Sequence, residues 1–120
     1  LKVLPEYGFK IDTSARDEYE WGYLKGFWDV DVTQKPYMIS SYDQNIGDDN
    51  DNFDLLEVPN NGSDSTNNTY ELMRERFDMN YKYKGIPLED MQIVTFMSHP
   101  HWFTKYDEKK MDDLLEYISQ

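Results

Sequence analysis

The chain contains no cysteine, which excludes disulfides and thiolate metal sites while leaving every redox compartment open. It contains no apolar run near the roughly 20 residues that a membrane-spanning helix needs. Its opening Leu1-Lys2-Val3-Leu4-Pro5 lacks the pattern of a signal peptide, as expected of a cytosolic chain or one trimmed from a longer precursor. Basic residues are scarce: 12 Lys and Arg stand against 24 Asp and Glu, for a net charge of -12. No Lys/Arg cluster offers a local exception, so neither nucleic acid nor an anionic membrane surface is an expected partner. Leu, Ile, Val and Phe make up only about a fifth of the chain, just above the range in which high net charge means disorder. The 10 Tyr and 3 Trp supply apolar area that the aliphatic count misses, and a folded chain of one domain's length is expected.

Along the chain, Leu1 to Gly8 reads as the end of a helix with a glycine stop, and Phe9-Lys10-Ile11 as a short strand closed by Asp12-Thr13-Ser14. Ala15 to Ser41 is rich in aromatics (Tyr19, Trp21, Tyr23, Phe27, Trp28, Tyr37) but holds neither helical nor strand period, so irregular structure with one short strand is expected. Asp43 to Asp54 is a solvated acidic loop. Asp48, Asn50 and Asn52 have the one-three-five spacing of a calcium loop, but Phe53 and Pro59 fall where that loop requires glycine and glutamate.

Leu55-Leu56-Glu57-Val58-Pro59 predicts a short buried strand, and Asn60 to Asn68 a polar loop with two glycosylation sequons read as coincidental. Asn68 and Glu71 predict the cap of a helix carrying Leu72, Met73 and Phe77 on one face. Met91 to Met97 reads as the strongest strand, apolar on both faces and suited to the interior of a parallel sheet. Met111, Leu114, Leu115 and Ile118 then mark an amphipathic helix capped by Thr104 and Asp107.

Both histidines lie in His99-Pro100-His101-Trp102-Phe103, directly after the expected buried strand. Strand carboxyl ends gather catalytic groups in α/β folds, and histidine suits proton transfer near neutrality. His99 as a structural cap with His101 on the surface is the plain alternative. A shared metal ion at His99 and His101 is a third reading, but two histidines need a carboxylate that the sequence does not identify. Trp21, Trp28 and Trp102 belong to a core or to a sugar-stacking face, and Trp102 beside His99 is the best candidate for a pocket wall.

The order of these segments resembles a known family. Leu4 to Ser14 is similar to a leader helix followed by Gly-aromatic and Asp-Ser-Ser, Trp28-Asp29 and Pro36-Tyr37 precede Leu55 to Pro59, and Met97-Ser-His-Pro100 leads into an aromatic loop and a last helix. Together they resemble the C-terminal part of polysaccharide deacetylases, the chitooligosaccharide-deacetylase homology domain. The resemblance implies an α/β fold, the later part of a distorted (β/α) barrel with mostly parallel strands. It implies a metal-dependent hydrolase removing acetyl groups from a polysaccharide or oligosaccharide, with a divalent metal, zinc foremost, activating water. His99 then matches the strand-end general acid, Met97 the acetyl-methyl pocket, and Trp28 and Asp29 the aromatic-plus-carboxylate motif that shapes the pocket.

The family's early aspartate pair, its His-x-x-x-His metal motif and its arginine-proline motif have no counterpart here. The metal ligands and the base are accordingly expected outside this chain, in a missing N-terminal half of the domain, and the chain alone is not expected to hydrolyse anything. Residues 1–120 are thus read as one unit, about half of a barrel of roughly 200 residues. An extracellular, cell-surface or periplasmic location follows by resemblance only. A non-catalytic glycan-binding or interaction module with an aromatic-rich surface is the rival reading.

Overall fold

The computed structural model describes the backbone of residues 1–17, 19–21 and 26–120, and the side chains of residues 1–17 and 28–120. Tyr23 lies outside the described residues, as do the side chains of Tyr19, Trp21 and Phe27. The chain divides into two compact units, Leu1–Pro59 and Asn60–Gln120.

In the first unit, Pro5–Tyr7 forms a single 3-10 turn, and Gly8 stops it at φ 85°, a left-handed conformation that glycine adopts without strain. The strands are β1 (Ile11–Asp12), β2 (Tyr19–Trp21), β3 (Gly26–Trp28), β4 (Tyr37–Ser40) and β5 (Asn52–Glu57). β5 is the centre of a three-stranded sheet, parallel to β1 and antiparallel to β4. β2 and β3 pair separately as an antiparallel hairpin. The core of this unit is Ala15, Trp28, Val30, Tyr37, Ile39 and Leu55, with Leu1, Leu4 and Phe53 packed against it. The acidic loop between β4 and β5 is folded on itself: the Asp48 carboxylate accepts the amides of Asn50 and Asp51, and Asn52 Nδ2 donates to the Asp48 carbonyl. These are side-chain turns of the kind Asp and Asn favour.

The second unit holds α1 (Tyr70–Asn80), a small hairpin of β6 (Lys82–Tyr83) and β7 (Ile86–Pro87), and α2 (Lys105–Ser119). The cap of α1 is Thr69, one residue later than the sequence suggested, and its hydroxyl accepts the Leu72 amide. Lys84 and Gly85 both have positive φ, as a tight two-residue hairpin requires. α2 begins with a complete capping box, Thr104 and Asp107 each accepting from the other's backbone amide. Leu114 is fully buried on α2 while Leu115 is more than half exposed, so the apolar stripe is narrower than its spacing suggested. A polar contact joins the helices as well: Tyr117 donates to Asp78 Oδ1 at 2.6 Å. On α2, the buried Lys110 donates to the Asn68 carbonyl ahead of α1 at 2.7 Å and pairs with Asp107 at 3.2 Å.

Two expectations about the fold are corrected. No barrel closes: the described strands form one sheet of three and two of two, and of these pairings only β1 with β5 is parallel. Residues 91–97 do not form a buried strand. The segment pairs along one side with residues 61–65, through Gly62 N to Thr95 O, Met97 N to Ser63 O and Ser65 N to Met97 O, which amounts to a single parallel bridge between Asp64 and Met97. Its described partners are this irregular loop and, at Gln92, Asn80 at the end of α1, not a strand, so the β-propensity of Ile93-Val94-Thr95 finds no pleated surface on which to act. Met91 and Ile93 are more than half exposed.

Candidate functional site

Asp64 and His99, 35 residues apart, meet in the second unit. Residues 60–69, read from sequence as a plain polar loop, are an organised support for the Asp64 carboxylate. Asp64 Oδ1 accepts the Thr66 amide at 2.9 Å and its hydroxyl at 2.6 Å, while Oδ2 accepts Asn67 Nδ2 at 3.0 Å. The Asp64 carbonyl takes the Asn68 amide at 3.0 Å. Asp64 is buried, at 6% exposure. Burial pushes its carboxyl up, but the Thr66 bonds, the charge of His99 and the Asn67 bond together hold it below the ordinary carboxylate value. Asp64 is therefore an ionised acceptor at neutral pH.

His99 Nε2 lies 3.0 Å from Asp64 Oδ2. An ionised carboxylate has no proton to give, so Nε2 carries the hydrogen, and Nδ1 is left as the nitrogen that takes up or releases a proton. Pro100 sets the backbone position: a residue before proline is confined to extended conformations, and His99 has φ -113° and ψ 101°. Pro100 also opens a 3-10 turn, Pro100–Trp102, closed by the Trp102 amide donating to the His99 carbonyl at 2.9 Å. On the other side, the Ser98 and Ser65 hydroxyls are 2.5 Å apart and tie the histidine loop to the Asp64 loop. Asn61, buried, spans the same two segments by donating to the Ile93 carbonyl and accepting the Thr95 amide. Gly62 permits the approach, because a Cβ there would stand 2.4 Å from the Thr95 carbonyl oxygen.

The 3-10 turn brings Trp102 back over the histidine, with ring centroids 5.1 Å apart and planes at 56°. The indole is 61% exposed. His101 stands 6.3 Å from the indole, and the exposed Phe103 and Tyr106 come next along the chain. The arrangement pairs a carboxylate-held imidazole with an open aromatic face, which suits proton transfer next to a stacked, apolar ligand surface.

Of the residues singled out from sequence, His99, Met97 and Trp102 lie in this region, Met97 half-buried and supplying the backbone bridge to Asp64. Trp28, at 8% exposure, is part of the first unit's core, and Asp29 is exposed with its amide donating to Asn45 Oδ1. Sequence reasoning missed Asp64. Its local signal was Asp64-Ser65-Thr66-Asn67, a carboxylate followed by donors that form a side-chain turn, but nothing local pointed to His99. The sequons belong to this support too: Asn61 is buried, and Asn67 is bonded to Asp64.

Among the described residues, no three of His, Asp or Glu converge as a metal-binding group, and His99 Nε2 is turned to Asp64. The described residues of this region therefore supply no three-ligand set for a metal ion. No described helix is long and apolar enough to cross a membrane. Comparisons with protein-family models, with curated proteins and with solved structures find no match.

Proposed function

We propose that this chain supplies the proton-transferring histidine and part of the ligand-contact surface of an enzyme that removes acetyl groups from a polysaccharide or oligosaccharide. The observation that carries the reading is the Asp64–His99 pair beside the exposed face of Trp102. Departure of a sugar amine or alkoxide requires a proton, and His99 Nδ1 is the atom that delivers it. Asp64 is a positioning residue: it fixes the orientation of the ring. Trp102 offers an indole on which a pyranose packs its apolar face, and Met97 is the candidate contact for the acetyl methyl. The order of segments ending in His99-Pro100 supports this class of reaction, in which a divalent metal, zinc foremost, activates water. Its ligands and the catalytic base would come from groups other than the described residues. An extracellular, cell-surface or periplasmic setting goes with a polymeric glycan.

The test is acetate release from N-acetylated chitooligosaccharides and O-acetylated xylooligosaccharides by the full-length gene product, assayed with zinc. His99→Ala is expected to lower kcat by about 100-fold or more, and Trp102→Ala to raise KM. Equal acetate release by wild type and His99→Ala removes the acid role.

A second reading, a non-catalytic glycan-binding surface, is favoured by one observation: Trp102, Phe103 and Tyr106 are all exposed along one short stretch. It expects saturable quenching of tryptophan fluorescence by the same oligosaccharides, undiminished in His99→Ala and unaffected by zinc, with no acetate released.

A further inference from the structure

In the first unit, a glutamate sits where the hydrophobic core would otherwise continue. Glu57 closes β5 with 0% exposure, and its register partner on the parallel strand β1 is Asp12. Each carboxyl has one oxygen served by a donor: Glu57 Oε1 accepts the Ala15 amide at 2.9 Å, and Asp12 Oδ1 accepts the Ser14 hydroxyl at 2.9 Å. The other two oxygens, Glu57 Oε2 and Asp12 Oδ2, are buried and have no donor among the described residues. Two ionised carboxylates are acceptors only, so neither can satisfy the other. A single proton between them supplies the missing donor and removes one of two buried like charges.

From the structure we infer that Asp12 and Glu57 share one proton, and that this proton makes the sheet of the first unit a pH-sensitive element, firmest at acid pH and progressively loosened as pH rises through neutrality into the mildly alkaline range. The surroundings oppose ionisation. From β4, Tyr37 is the cross-strand partner of Glu57 and is itself buried, and Asp43 lies beyond it. Burial raises the Tyr37 phenol, and Glu57, Asp43 and Asp12 raise it further. Burial likewise pushes the Glu57 carboxyl up to about 8, the Ala15 amide draws it partly back, and Asp12 adds to the rise.

Below the ordinary glutamate value of 4.5, folded and unfolded chains both hold the proton; between 4.5 and about 8 only the folded chain does. Stability from this pair is therefore full at low pH and is lost progressively as pH rises through that window.

The test uses the whole chain and two readouts. The first is the ¹³C shift of the Glu57 carboxyl carbon measured from about pH 4 to about pH 10, a span that brackets both the ordinary and the raised carboxyl values. It is expected to keep its protonated value through neutral pH, and titration in the ordinary carboxylate range would overturn the inference. The second is the melting temperature at constant ionic strength from about pH 6 to about pH 9. Over that range wild type is expected to fall by at least about 5 °C, whereas Glu57→Gln, whose amide donates to Asp12 permanently, is expected to stay flat. Identical slopes in the two proteins would also overturn it. Should Glu57→Gln fail to fold, Asp12→Asn takes its place: its amide donates to an ionised Glu57, so the carbon should titrate at lower pH than in wild type, and an unchanged titration counts against sharing.

Discussion

Asp64 organises the candidate site through four side-chain hydrogen bonds, two from Thr66, one from Asn67 and one with His99. Asp64→Ala leaves these groups without their acceptor, and a loss of about 2–4 kcal/mol is expected by urea denaturation. The pH dependence has the opposite sign to that of Glu57. The Asp64 carboxyl is held below its ordinary value, so its stabilisation is present above about pH 4 and is lost as pH falls through the lowered value. Wild type is therefore expected to lose stability on acidification where Asp64→Asn loses less. The sequence displayed the parts of this site unevenly. His99-Pro100 was legible because proline restricts the preceding residue and histidine titrates near neutrality. Asp64 was not, because its significance depends on a partner 35 residues away that no local pattern names.

Helices were read better than strands, for a physical reason. A helix satisfies its own backbone, so Thr104 with Asp107 and the spacing of Leu114 were enough to place α2. A strand needs a neighbour, and the apolar run 91–97 met the loop at 61–65 and the end of α1 instead of another strand. The narrow apolar stripe on α2 makes a direct comparison: Leu114→Ala is expected to cost about 2–5 kcal/mol, and Leu115→Ala within about 0.5 kcal/mol of nothing, by thermal or chemical denaturation. The close approach at Gly62 gives a second test. An added methyl meets a backbone carbonyl at 2.4 Å, so Gly62→Ala is expected to cost more than about 2 kcal/mol and to speed hydrogen exchange at the Met97 and Ser65 amides. Unchanged protection would show that the loops do not need their present spacing.

For the whole molecule, the charge of -12 means self-repulsion at neutral pH, and raising salt from about 10 to about 150 mM is expected to raise the melting temperature by screening it. The sequence read the chain as the later part of a barrel with mostly parallel strands; the described strands form small, mostly antiparallel sheets. The functional reading rests on His99 acting as an acid that Asp64 holds in place. The pH dependence of kcat for acetate release by the full-length gene product tests this most directly. A general acid must be protonated to act, so wild type should lose activity along an alkaline limb, and His99→Gln should have low activity with that limb gone. A His99→Gln enzyme that keeps wild-type kcat and the same alkaline limb would contradict the assignment.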